Sequence, residues 1–300
     1  MLAAALTASE IFESHLGVRD ACWREVTISL WNPTGASSAQ GPAVMWLPQQ
    51  LMLVGLGHLG QAHAWCLAHL PYPSGAGEIW LADDERVTAS NVSTGVFTAP
   101  DHLAEGAGVA AYKTRLVAER LERAGLATRL IERRIHSDER HHPDLPPIAL
   151  VGVDNLATRR AISDFGWPLC VDAGLGSTAS SFDTFALHVF DGKGRASSEI
   201  EAWYDRPPVD PDTDAPIFDA LRTSGVDDCG LVTLANKSVA CAYVGMAAAC
   251  FAVAEVLRRL NGNTGISAMS AALDAIAIRG DCVASTSLRA PTCRAATRDG

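Results

Sequence analysis

A short apolar run, Trp46 to Val54, feeds directly into Gly55-Leu56-Gly57-His58-Leu59-Gly60, and Gln61 to Leu70 then reads as a helix. A strand that enters a helix through a GxGxxG turn is the opening of a βαβ unit. The glycines permit a tight turn and close backbone approach, and the helix N-terminus offers unpaired N–H groups to a phosphate. The alternation then continues for more than a hundred residues. Ile79–Ala82 reads as a buried strand ending at Asp83, and Tyr112 to Ala124 as an amphipathic helix with Tyr112, Leu116, Val117 and Leu121 on one face. Residues 129–135 and Ile148 to Val153 read as strands, Leu156 to Phe165 as a helix and Pro168 to Val171 as a strand. Strand alternating with helix in this way predicts an α/β fold, a Rossmann-like, doubly wound, mostly parallel sheet.

The rest of the chain hangs on that frame. Residues 1–44 form an N-terminal extension with a helical pattern near Ile11–Leu16, a strand-like Val26–Leu30 and a loop rich in Pro, Gly and Ser. The main domain runs over 45–265. It includes a one-face-exposed strand at Phe185–Phe190, an Asp- and Pro-rich crossover loop at about 199–236, and a helix from Lys237 to Leu260 that stops at Asn261-Gly262. Residues 266–300 make a C-terminal segment whose role is not legible. The 300 residues are 48% hydrophobic, which excludes global disorder. With 24 Lys+Arg against 34 Asp+Glu the net charge is −10, which argues against nucleic acid as a partner. The opening residues lack the basic stretch of a signal peptide. The longest uncharged run, Ser238 to Ala254, is shorter than a membrane span. No membrane association and a cytoplasmic location are therefore expected. Eight cysteines without a CxxC pair argue against a structural zinc site.

The order of polar residues after the glycine turn carries the chemistry. Asp83-Asp84-Glu85-Arg86-Val87 leads to Ser90-Asn91-Val92, then to Lys113 in a helix, then to Asp154-Asn155 with Arg159 four residues beyond the Asn. In this order the chain resembles the superfamily of ubiquitin-activating enzymes and their bacterial relatives ThiF and MoeB, over residues 45–176 and again over 239–262. The resemblance implies ATP-dependent adenylation of the C-terminal glycine of a ubiquitin-like protein, with ATP and Mg²⁺ as cofactors. It implies that Gly55, Gly57 and Gly60 frame the nucleotide and that Asp83 holds the ribose. Asn91 and Lys113 would contact the phosphates, Asp154 would carry Mg²⁺, and Asn155 belongs to the same motif. Arg159 would orient Asp154 or touch the substrate tail. The bland readings stand beside these: a solvated Lys113, a turn-capping Asp83, a helix-starting Asn91 and a surface Arg159. An acid at the C-terminal end of a parallel strand is the hardest to dismiss.

Activating relatives pass the adenylate to a cysteine thiol. Cys66, Cys170, Cys241 and Cys250 fall in core elements and read as small buried hydrophobes. Cys229, in Asp227-Asp228-Cys229-Gly230 at the end of the crossover loop, stands where relatives place the thiol-bearing segment, although two neighbouring acids would raise its pKa. The missing CxxC pairs tilt the resemblance toward the activating enzymes of bacterial ubiquitin-like conjugation systems, some of which serve antiviral defence. A homodimer and a conjugating partner follow from the same likeness. One departure is Thr94, where relatives often carry a phosphate-contacting Arg. Arg19 and Arg24 are the local substitutes from the extension. Thr94 keeps a catalytically silent scaffold subunit in view, and the glycine turn alone also admits a nicotinamide-dependent oxidoreductase.

Overall fold

The computed structural model describes residues 1–35, 41–103, 109–136, 138–154, 156–176, 181–190, 192, 222–223, 225, 241–274, 276–283, 288 and 290–296. Asn155, Cys229 and almost all of the crossover loop lie outside the described residues. The sheet is built as the alternation predicts. Strands β2 (Gln50–Val54), β3 (Glu78–Ala82), β4 (Ala127–Ile131), β5 (Ile148–Val151) and β6 (Leu169–Leu175) are mutually parallel, and β7 (Thr184–Phe190), β8 (Gly265–Ala272) and β9 (Ala277–Val283) extend them antiparallel. The order is β4-β3-β2-β5-β6-β7-β8-β9. The chain therefore winds outward from β2 in one direction and restarts at β5 in the other. Between β2 and β5 lies the switch point, where sheets of this kind open a crevice at their carboxyl ends.

Buried strands read as near-continuous apolar runs because both faces are covered. On one face lie α1 (Leu2–His15), α2 (His58–Ala68), α4 (Lys113–Arg123) and α6 (Ala242–Leu260), around a core that includes Leu51, Leu53, Leu81, Val117, Leu150 and Phe251. On the other lies α5 (Leu156–Asp164), over Met52, Trp80, Ala149, Phe165 and Trp167. The short α3 (Ala89–Thr94) and a 3₁₀ turn at Pro100–His102 bridge β3 to α4. Helix α6 stops where the sequence predicts, with Asn261 as its C-cap and Gly262 at φ +73° just beyond. The Asn261 side chain also binds the backbone of Met45 and Trp46, at the start of β1 (Trp46–Pro48). Strand β1 pairs antiparallel with β10 (Thr292–Arg294), so the tail returns to the beginning of the main domain. Among the described residues no helix is long and apolar enough to cross a membrane.

Two local expectations are corrected. Val26–Leu30 is not a strand. Ile28 and Leu30 do pack on the core, but the Leu30 carbonyl accepts a bond from the Arg258 guanidinium and the Ser29 carbonyl closes a turn to Asn32, so no ladder forms. Cys241 is not inside the Ala-rich helix but is its half-buried N-cap.

Helix α2 packs against both α4 and α6, and this encloses His63 completely. Among the described residues neither ring nitrogen finds a partner, and burial holds its pKa down at about 3. The imidazole is therefore neutral in the fold, while the unfolded chain takes up a proton near pH 6.5. Stability contributed by a depressed pKa is present above pH 6.5 and is lost as pH falls toward 3. Replacing His63 with Leu should flatten urea-unfolding stability between pH 6 and 4, where the wild type is expected to lose about 1.4 kcal/mol per pH unit. Equal pH slopes for the two proteins would refute this account.

Candidate active site

The turn between β2 and α2 requires its glycines for different reasons. Gly55 has φ +80°, which β-carbon-bearing residues rarely adopt. A Cβ on Gly60 would stand 1.9 Å from the Gly55 carbonyl oxygen, so the helix could not close on the strand. A Cβ on Gly57 would meet nothing within 4 Å. Gly57 is the N-cap of α2 and supplies no side-chain cap, so the first N–H groups of the helix have no acceptor from the cap residue. That is the geometry a phosphate needs.

Asp83, at the end of β3, clamps this turn. Its Oδ2 accepts the Leu56 N–H at 2.6 Å and its Oδ1 accepts the Glu85 N–H at 2.7 Å. The capping reading is therefore correct for one lone pair on each oxygen, and a carboxylate has about four acceptor sites. The remaining two suit a pair of vicinal hydroxyls. Burial pushes the Asp83 pKa up, against the pull of the two N–H groups and Lys113.

Lys113 opens α4 and is 5% exposed, which sets aside the solvated reading. Its backbone N–H donates to the Glu85 carbonyl at 3.1 Å and its Nζ lies 2.5 Å from Glu85 Oε2. The Glu85 side chain is 58% exposed, so it can swing away and leave the ammonium to another anion. A cation held in a low-dielectric cleft by a movable counter-charge is available to phosphate oxygens.

Asn91 starts a helix, as one reading has it: its Oδ1 accepts the Thr88 N–H at 2.9 Å in a capping box. The Asn91 amide NH₂ is not used by that box. Thr94 donates its hydroxyl to the Ser90 carbonyl and brings no charge. Arg24 is held by Glu10 at 2.6 Å, within the extension.

Asp154 follows β5 on an exposed corner, across the switch point from the glycine turn. That corner is seated on the turn: Gly152 donates its N–H to the Val54 carbonyl at 2.9 Å, and a Cβ there would stand 2.7 Å from Leu59 Cβ. Among the described residues no three acidic, His or Cys side chains cluster as a metal cage. A single exposed carboxylate is a donor that suits Mg²⁺, which takes few protein ligands and keeps most of its waters. Arg159 points inward. Its Nε–H donates to the Val153 carbonyl at 3.0 Å and its Nη2–H to the Ala173 carbonyl at 2.9 Å. It holds the corner that presents Asp154.

Two positioning residues are not apparent from the motifs. Gln61 is fully buried; its Oε1 accepts the Phe97 N–H at 2.9 Å and its Nε2 donates to Thr98 Oγ1 at 3.0 Å. This ties the α3 segment, and Asn91 with it, to α2. His58 lies against α6 so closely that a Cβ on Gly245 would fall 2.3 Å from its Nε2. Gln61 carries no clear signal in the sequence, since His58 and His63 are polar residues of the same helix.

A mostly parallel sheet with a glycine turn at its switch point is the Rossmann-like fold of the ThiF type. Residues 47–263 match the BilD C-terminal domain family, and the chain belongs to that family. It is 38% identical over 267 residues to the bacterial E1-like protein BilD of Collimonas sp. (strain OK412), covering 87% of this chain and 56% of that one. The chain thus spans about half the length of the curated relative it matches, at 56%. Among solved structures, Escherichia coli MccB is similar with a TM-score of 0.51 at 16% identity, over 79% of this chain and 63% of MccB. PaaA is similar with a TM-score of 0.50 at 14% identity, over 78% and 63% respectively. Likeness at such identity speaks to the fold.

Proposed function

We propose that the chain adenylates the C-terminal glycine carboxylate of a ubiquitin-like protein with ATP. A carboxylate oxygen bonds to the α-phosphorus, the bond from that phosphorus to the β-phosphate bridging oxygen breaks, and pyrophosphate leaves. The observation that carries this reading is the pairing of a buried Lys113 with an open, uncapped helix N-terminus at Gly57, joined through Glu85 and Asp83. Both place positive potential where a triphosphate would gather negative charge in the transition state. Asp83 would bind the ribose, the Asn91 amide would donate to a phosphate, and Asp154 would hold Mg²⁺, which would neutralise charge on the phosphates. Escherichia coli MccB, on the same fold, has been crystallised with ATP.

The later steps belong to the same proposal. Cys229 would take the acyl group as a thioester and pass it to a conjugating partner, and the enzyme would act as a homodimer. Thr94, which brings no cation, favours a second reading, a scaffold that binds ATP without chemistry. ATP–pyrophosphate exchange with candidate ubiquitin-like proteins separates the two. The wild type should exchange only with its true substrate, and Asp154→Ala should lower exchange by about 10²-fold. Exchange undiminished by Asp154→Ala would remove the metal assignment, and ATP binding without exchange would leave the scaffold.

A further inference from the structure

Asp172 lies in the middle of β6, where an apolar strand would be expected to carry another Val or Ala. It is 2% exposed, and among the described residues neither carboxylate oxygen has a hydrogen-bond partner. The group that faces it from α5 is Arg159, with Nε 3.7 Å from Oδ1 and the arginine side chain itself only 14% exposed. Its cross-strand neighbour on β7 is His188, and its neighbour on β5 is the apolar Val151. Cys170 lies two residues back on the same face, and the carboxylate helps to push that thiol up.

Nothing in folding requires a carboxylate there. A buried charge pair that is not hydrogen-bonded is weak for stability and often replaceable by neutral groups at a gain. Its geometry has another use. Arg159 spends its Nε–H on Val153, the residue before Asp154, and an Nη2–H on Ala173. The close seat is reserved for it, since a Cβ on Gly174 would stand 2.6 Å from its Nη1. Without an opposing charge, a guanidinium at this depth gains more by turning to water than by staying on two carbonyls.

We infer that Asp172 is a positioning residue whose negative charge holds Arg159 across the Val153 and Ala173 carbonyls and so fixes the corner that presents Asp154 to a metal-bound nucleotide. This rests on the proposed role of Asp154. Burial, only partly offset by Arg159, raises the Asp172 pKa to about 6, so near neutral pH the fold keeps a carboxylate charged at its own expense. A raised acid pKa favours the fold at low pH, and that advantage is lost as pH rises through 4 to 6.

Asp172→Asn keeps the shape and removes the charge. Two measurements test it, calorimetric affinity for ATP with Mg²⁺ and affinity for ATP in EDTA, and the melting temperature of the nucleotide-free protein shows that the variant is folded. The variant should bind Mg-ATP about tenfold more weakly, the scale of a lost supporting contact, and bind ATP in EDTA as wild type does. Arg159→Lys, which keeps the charge but cannot span both carbonyls, should show the same Mg-selective loss. Wild-type Mg-ATP affinity in Asp172→Asn, or an equal loss with and without Mg²⁺, would overturn the inference. A wild type with no Mg-dependent gain in affinity would instead overturn the Asp154 reading beneath it, and that result needs no variant.

Discussion

Replacing Lys113 with Met should reduce ATP–pyrophosphate exchange by about 10²–10³-fold, the scale for removing one preplaced donor from a developing anion. Met preserves the apolar stem that α4 buries, so folding should survive. Loss of the ammonium also frees Glu85, whose carboxylate then stands near the phosphates without its partner at 2.5 Å. Part of the expected loss is this new repulsion, and the double variant Lys113→Met/Glu85→Gln separates the two. It should recover the repulsive part, about tenfold at one acid–phosphate contact in a partly solvated cleft, and not the rest. The fall should appear in kcat for exchange more than in nucleotide affinity, because charge builds on the phosphates as the bond to the β-phosphate bridge breaks. If Lys113→Met exchanges at the wild-type rate, the lysine is a counter-ion for Glu85 and no more. The glycine turn and the Asn91 amide would then be left as the groups offered to the phosphates.

The parallel half of this fold was open to inspection in the sequence because physics leaves it few choices. Leu51-Met52-Leu53-Val54 and Ile148-Ala149-Leu150-Val151 are apolar at every position since both faces of a parallel sheet are covered. The glycine turn is equally direct, since Gly60 has a carbonyl oxygen 1.9 Å from where its Cβ would be. What periodicity could not convey is partnership across the chain. Val26–Leu30 alternates like a strand, yet its last carbonyl bonds to an arginine more than two hundred residues away. Asp172 looks like an interruption of β6 until Arg159 is seen over it. Gln61 looks like one more polar helix residue until Phe97 and Thr98 are found on its amide. At the site, Asp83 and Lys113 stand out because a charged residue at the edge of an apolar element has few structural reasons to be there. Each does bond locally as well, Asp83 to the turn and Lys113 to Glu85, so the capping reading of Asp83 holds and the solvated reading of Lys113 does not.

Glu255→Ala should cost about 3–5 kcal/mol of unfolding free energy, the loss expected when one partner leaves a buried ionic cluster. Glu255 is fully buried in α6, between two arginines that are 1% and 6% exposed. Its Oε2 accepts from the Arg258 guanidinium, and its Oε1 accepts from Arg259 Nε at 2.5 Å and from the Ile266 N–H at 3.0 Å. The arginines then reach outward, Arg258 to the Leu30 carbonyl and Arg259 to the Ile266 carbonyl at 2.7 Å. One carboxylate therefore joins the end of α6 to β8 and to the N-terminal extension. Removing it leaves two guanidinium groups with a single surplus of positive charge each and no water to share it. Glu255→Gln retains the acceptor oxygen but not the charge, and should fall between wild type and Ala in urea midpoint. The cluster lies at the end of α6 remote from His58 and the glycine turn, because α6 passes His58 at Gly245 and reaches Glu255 some three turns later. Nucleotide affinity per folded molecule, measured well below the melting transition, should accordingly be unchanged in both variants. A Glu255→Ala protein with the wild-type urea midpoint would mean that the arginines find other partners, and the cluster would then be a consequence of packing and not one of its causes.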